Sequence, residues 1–417
     1  MSLVEFTVTR NTQKNVINSE GFLENVGNNV PGFEYKRELI VVFDDPESDS
    51  DEIEEVFTYR GALIEPASTN LCKQSEDINT SWTPTSATPT QSTETTPDGD
   101  TTNKYIKLVD DGSTGTGQVR IIQSITVSAN TKYTASVFLK ADQLTFARLG
   151  AFNYDGSTDA FQYFELSGDG SLGTPDAGIE NSKIEAYPNG WYRCSITWTN
   201  ATDPSGFAFG VNLANSISTF EVPLDGTSSV FVWGAQLEES PIATSYIPTT
   251  TGAVTRVKDD TYLTSASSLI GQTEGTLFVE VDWQGTGQDQ VIFDISDGSN
   301  NNRLAIYNDD SPVELRMIAR ANSVQLTQQG ASSTAFTGIQ KIAFAYKTND
   351  FELYRNGSSI STDTSGSLAS LATLTNVDFG AADIGSGSVS NANMWIRAVA
   401  LFTTRLSDAE CEALTTL

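Results

Sequence analysis

The sequence predicts an all-β protein: two antiparallel β-sandwich domains of jelly-roll type, preceded by an irregular N-terminal attachment segment and closed by one short C-terminal helix. Three observations carry this. Apolar residues alternate with polar ones at period two in many short runs, the pattern of strands with one buried face. Turn clusters such as "DGSTGTG", "YDGSTD", "SGDGSLG" and "YPNG" separate the runs. Only "LSDAECEALTTL" at the end starts like a helix, with Ser407 and Glu410 spaced as a capping box.

The elements follow in order. Residues 1–60 hold short apolar pieces and an acidic run, "DDPESDSDEIEE" (44–55), and form a segment too short for its own core. It is expected to pack on a partner chain or to extend from one of the sandwiches. Asp49 and Asp51 alternate as in a calcium loop, but the glycine and terminal glutamate of an EF-hand are missing, so the run reads as a solvated loop. The first sandwich spans 61–250. Val119, Ile121, Ile125 and Val127 share one strand face, as do Tyr133, Ala135, Val137 and Leu139, and Phe207, Phe209, Val211 and Leu213. The same alternation puts Phe231, Trp233, Ala235 and Leu237 together in the core. Residues 251–274, Thr-rich and poorly periodic, read as a linker. The second sandwich spans 275–417, with Leu277, Val279, Val281 and Trp283 on one face and Ile342, Phe344 and Tyr346 on another. "FELYRNG" ends in Asn356-Gly357, a tight-turn pair. No repeat of the period that marks a β-helix or propeller is seen.

Composition narrows the function. The chain has 417 residues, 24 basic and 53 acidic, for a net charge of −29. Such a surface repels phosphate backbones and anionic membranes, which argues against nucleic-acid partners. There is no histidine, so His-based catalytic triads and His metal sites are excluded. Cys72, Cys194 and Cys411 are an odd, widely spaced set, expected to be buried reduced thiols. The first residues carry no apolar stretch of signal-peptide length and no run is long enough for a membrane span, which fits synthesis in a cytoplasm and no membrane insertion.

Five phrases then occur in order: "GFLENVGNNVPGFEY" (21–35), "GALIEPASTNLCKQSEDINTSW" (61–82), "KYTASVFLKAD" (132–142), "GWYRCSITWT" (190–199) and "VFVWGAQLEESPIATSYIPTTTGAVTR" (230–256). Together they resemble bacteriophage virion surface proteins of tail, fibre and decoration type, whose middle region is similar to carbohydrate-binding β-sandwich modules. The block from 275 is similar to laminin-G or concanavalin-A-like jelly rolls. The resemblance implies a place on the virion surface, virion-protein partners, a homo-oligomer with a trimer preferred, and host surface glycans as ligands. The acidic stretch 44–55 departs from the short connection usual in that group.

Sugar sites use aromatic rings as platforms with polar side chains beside them. Trp191 and Trp198 lie seven apart, so alternation puts them on opposite faces. Trp198 joins Tyr192, Cys194 and Ile196 in the core. Trp191, with Arg193, Ser195 and Thr197, is on the outward face, so Trp191 and Arg193 are the candidate ligand-binding residues; the alternative is a Trp packed under a loop at the strand start. Trp395 has a mixed face. Glu280 and Asp282, about 7 Å apart along one strand face, are the carboxylates a polysaccharide-degrading enzyme would use; no catalytic residue is assigned. No cofactor is expected, although Asp294, Asp297, Asp309 and Asp310 are oxygen donors suited to a structural calcium ion. The expected function is a structural, glycan-displaying phage protein, with a carboxylate enzyme or a purely mechanical stabiliser as alternatives.

Overall fold

The computed structural model describes residues 7–9, 14–17, 22–26, 33–42, 52–201, 204–284, 289–310, 313–332, 338–380 and 392–417. All pairings between named strands are antiparallel, and four large sheets form two sandwiches.

In the first sandwich, sheet I runs in the order Ser171–Leu172, Ala160–Glu165, Phe146–Phe152, Ala208–Ala214, Arg120–Ser124, Thr83–Thr85. Sheet II runs Asn181–Ala186, Trp191–Thr199, Lys132–Ala141, Ser229–Glu238, Lys104–Asp110, Ala87–Ser92. Their inner faces share one core: Val119, Ile121, Leu149, Phe164, Phe209, Val211 and Leu213 from sheet I meet Tyr133, Val137, Leu139, Ile196, Trp198 and Leu237 from sheet II. Trp198 stacks with Tyr133 and Phe207 at 6.3 and 5.6 Å, as its parity requires.

The strand Ser229–Glu238 departs from strict alternation. Its register against Lys132–Ala141 slips, with Ser136 opposite Gln236 but Phe138 opposite Trp233. Gly234 takes up the extra residue at φ +67, a conformation that favours glycine. Ala235 and Leu237 therefore reach the core with Val230 and Val232, while Phe231 and Trp233 turn to the outer face. The expected four-residue core set is thus split by a bulge.

In the second sandwich, sheet III runs Ser358–Asp363, Asp350–Arg355, Gly338–Lys347, Glu274–Trp283, Met394–Phe402, Glu52–Ile64, Phe33–Val42. Sheet IV runs Thr7–Thr9, Asp260–Leu263, Asn376–Phe379, Gln290–Ser296, Arg303–Asp310, Val313–Ala321, Val324–Ser332. Leu277, Val279, Val281, Trp283, Ile342, Phe344 and Tyr346 fill the core against Phe293, Ile295, Leu304 and Ile306. Asn356 and Gly357, at φ +48 and +82, make the tight turn between Asp350–Arg355 and Ser358–Asp363. Helix α1, Asp408–Thr415, opens with both halves of the Ser407/Glu410 capping box and packs Cys411 on the outer face of sheet III beside Phe278, Ala343 and Tyr354. The three cysteines are free and buried; burial holds the Cys72 and Cys194 thiols above their usual range and pushes Cys411 up to about 11.

The early segment is woven into the second sandwich. Ala62–Ile64 pair with Met394–Ile396, and Thr7–Thr9 pair with Asp260–Tyr262. Of the acidic run, 44–51 (Asp49 and Asp51 included) lie outside the described residues; 52–55 belong to the strand Glu52–Ile64. The stretch 251–274, read as a linker, is also tied down. Val254–Arg256 pair with Ser68–Asn70, Asp260–Leu263 enter sheet IV, and Ala266 and Ile270 join the second core.

Candidate functional site

Trp191 stands on the outer face of sheet II, as parity predicts, but it is no platform. It is fully buried, and its Nε1 donates to Thr95 O at 2.7 Å. A second apolar layer covers that end of the sheet, built from Phe138, Trp191, Phe231 and Trp233 under Leu23, Tyr187 and Tyr246. The face is outward with respect to the sandwich and inward with respect to the molecule, because other chain segments cross over it. The expectation that Trp191 contacts a sugar is corrected on this ground.

Arg193, two residues on, sits where this layer gives way to a polar face. It is 8% exposed; Nη2 donates to Ser136 Oγ at 3.0 Å and to Thr244 O at 2.6 Å, and Nε has no partner. Arg193 lines a cleft of about 140 Å³ between the sandwiches. From sheet II and its flanks come Lys183, Glu185 and Tyr187; from the second sandwich come Arg60, Asn393 and Trp395.

The far wall rests on a second bulge. The register of Met394–Phe402 against Glu274–Trp283 shifts between Glu280 and Val281, leaving Arg397 extra. Trp395 consequently faces outward opposite Asp282, while Val399 and Leu401 pack against the core, which resolves its mixed parity. The Arg60 guanidinium carbon lies 3.3 Å over the Trp395 ring, a cation–π contact, and Arg60 Nε reaches Asp282 at 2.8 Å. Glu280 is held by Arg397 at 2.7 Å. Each carboxylate of the Glu280/Asp282 pair therefore has its own arginine, and within sheet III the two pairs tie the strand Glu274–Trp283 to Met394–Phe402 and to Glu52–Ile64. Glu185 lies across from Arg193 in register and 2.7 Å from Lys183. Burial pushes its carboxyl up, but Lys183, Arg60 and Arg193 outweigh this and hold it below the usual carboxylate range. Asn393 Oδ1 is buried without a partner. Sequence reasoning does not reach Arg60 and Asn393, and sees Trp395 only as a mixed face, because all three lie more than 100 residues from Arg193; the pattern "MWIRAVALF", whose parity breaks at Arg397, is the one visible signal.

Each acid noted as a calcium-suited donor whose side chain is described has its own protein partners. Asp294 pairs with Arg303 at 2.7 Å, Asp309 with Arg316 at 2.5 Å, and Asp297 accepts from Ser299 and Asn302. The side chain of Asp310 lies outside the described residues, and among those described no group of three metal-ligating side chains is found.

No protein-family model matches the chain, and no curated protein matches it in sequence. Among solved structures, the chain is similar to the CBM40 of the Ruminococcus gnavus IT-sialidase (15% identity, TM-score 0.30, 36% of this chain and 86% of that one). It is similar to the NanB sialidase from Streptococcus pneumoniae (17%, 0.32, 37% and 26%) and to domains LG4-5 of the mouse laminin alpha1 chain (9%, 0.25, 69% and 87%).

Proposed function

We propose that the chain is a non-enzymatic structural subunit of a bacteriophage particle, of fibre, spike or decoration type, that displays a glycan-binding cleft between its two β-sandwiches. The observation that carries the glycan reading is the composition of the 140 Å³ cleft: Arg193, Lys183, Glu185 and Asn393 surround it, with the rings of Tyr187 and Trp395 in its walls. Charged, amide and aromatic groups in one concavity are what sugar hydroxyls and ring faces require. The volume is well below the ~300–1,000 Å³ of drug-sized sites, so it suits one sugar unit and not a long chain. The phage reading is supported by the five ordered sequence phrases and by the acidic charge, which favours solubility at high local concentration. Weak binding per site becomes useful when copies are arrayed on a particle; a trimer is the arrangement proposed.

Two measurements test this. The first is binding of the purified protein to immobilised host polysaccharide. Lys183→Gln, at the exposed edge of the cleft, is expected to weaken it about tenfold, the loss of a charge-assisted contact, with unchanged melting temperature as the folding control. Equal binding by the variant, or none by the wild type, overturns the cleft reading. Release of new reducing ends from that polysaccharide overturns the non-enzymatic reading. The second is antibody labelling of intact particles: label on the tail or head surface is expected, and its absence from the particle rejects the phage role.

A further inference from the structure

The outer face of sheet I, on the opposite side of the first sandwich from the cleft, carries a different set of groups. Register pairs place Arg120, Asn212, Arg148 and Tyr163 side by side on four neighbouring strands. Beside this row, Gly150 and Gly210 are partners, and a Cβ at either would strike Phe152 within 2.9 and 3.1 Å, so the glycines make a floor on which the aromatic rings lie. The Arg148 guanidinium carbon is 3.8 Å from the centre of the Phe161 ring and 4.0 Å from that of Phe220. That of Arg120 is 5.0 Å from Phe152.

Three features of the row are unsatisfied. Arg148 is 5% exposed, yet its side-chain hydrogen bond goes to the neutral Tyr163 hydroxyl, at 3.3 Å, and its Nε has no partner. Among the described residues, the hydrogen bond of the Arg120 side chain is a long one to Thr85 Oγ1, 3.4 Å. Asn212 is fully buried with both amide atoms unpartnered. In a chain with 53 acids and 24 bases, the two guanidinium groups that flank Asn212 form no ion pair among the described residues. Asp176, the acid whose field reaches Arg148, accepts from Phe161 N at 3.0 Å. Like charges side by side repel, and a buried cation without an anion is costly. An unpaired amide between them adds one free donor and one free acceptor.

The geometry points to a second binding site here, for an anionic sugar residue. Its acidic group would sit between Arg120 and Arg148 and accept from Asn212 Nδ2, an adjacent hydroxyl would donate to Asn212 Oδ1, and the ring would lie against Phe161, Tyr163 and Phe220. Phe220, half-buried in the turn after Ala208–Ala214, is the group that yields to admit it. The anion is a carboxylate or a sulfate ester, which offer the same acceptor oxygens. The site shares no residue with the cleft, so its failure leaves the cleft reading standing.

The test uses the intact protein, with polygalacturonate, its carboxyl-reduced counterpart, dextran sulfate and plain dextran as probes. Salt is kept at about 0.15 M to screen the net negative charge over about 8 Å. Binding of polygalacturonate or dextran sulfate, with neither neutral polymer bound, is expected; which polyanion binds identifies the acid. Arg120→Gln, at a half-buried position, should weaken it about tenfold. Asn212→Asp supplies the control against misfolding: an isosteric carboxylate between the two arginines should keep or raise the melting temperature while abolishing polyanion binding. Binding of the neutral polymers equal to that of the polyanions, polyanion binding unchanged in both variants, or no polyanion binding by the wild type overturns the proposal.

Discussion

Asp378 shows how one residue's surroundings set its chemistry. It lies on the outer face of sheet IV, between Tyr262 and Asp294 in register. Burial and the neighbouring Asp294, with Asp260 adding, push its carboxyl up to about 7 despite Arg303 and Lys258. Because the folded value is raised, the protonated form is the one the fold favours. The group's contribution is present in full below 3.8 and is lost as pH rises through about 7. Asp378→Asn removes that loss: at pH 8 the variant should melt roughly 2–4 °C higher than wild type, the shift of about 1 kcal/mol in a domain of this size, with little difference near pH 4. Equal melting temperatures at pH 8 would show that the carboxylate is solvated in the fold. Glu65 is the opposite case. Burial raises its pKa, but Arg256 and Lys14 overcome this and the net value is lowered, so its contribution holds above 4.5 and is lost as pH falls below it.

At the scale of the element, the two bulges decide what faces where. Without Gly234, the alternation of the strand Ser229–Glu238 would put Phe231, Trp233, Ala235 and Leu237 on one face. With it, Phe231 and Trp233 join Trp191 in the outer apolar layer. A side chain at 234 meets two penalties: φ is +67, and a Cβ would lie 2.8 Å from Phe138 Cδ2. Gly234→Ala should destabilise the protein by about 1–3 kcal/mol, the cost of a strained left-handed residue. Urea unfolding followed by tryptophan fluorescence measures this; an unchanged midpoint would mean that the bulge migrates to a neighbouring residue.

At the scale of the molecule, a buried charge cluster joins three parts of the chain. Lys14 Nζ donates to Leu63 O at 2.7 Å and to Asp259 Oδ2 at 2.6 Å, and lies 3.3 Å from Glu65 Oε2. Arg256 approaches Glu65 at 3.6 Å, and Ser245 donates to it through N and Oγ at 2.6 and 2.8 Å. The cluster ties the early segment and both chain crossings between the sandwiches at one point. Removing one partner strands the others in low dielectric. Lys14→Met should therefore cost about 3–5 kcal/mol, read as a lower urea midpoint. The two sandwiches are expected to melt in separate steps in the variant where the wild type melts in one. A single transition at the wild-type midpoint would show that the cluster does not couple them.

Much of this fold was legible in residue order. Period-two alternation assigned the inward residues of most strands, because side-chain direction in a strand is a local property. Asn356-Gly357 and Ser407 with Glu410 announced their turn and cap, since those residue types satisfy backbone geometry within a few positions. The lack of histidine excluded whole classes of chemistry. Tertiary structure decided the rest. Alternation put Trp191 on an outer face correctly, but only the crossing of Leu23, Tyr187 and Tyr246 made that face an interior. It could not show that Glu280 and Asp282 are taken by Arg397 and Arg60, that Arg193 would meet Trp395 across a cleft, or that residues 62–64 complete a sheet with 394–396. These depend on which distant segments pair, and strand pairing is set by the fit of whole faces and edges across hundreds of residues, a non-local property that no short window contains.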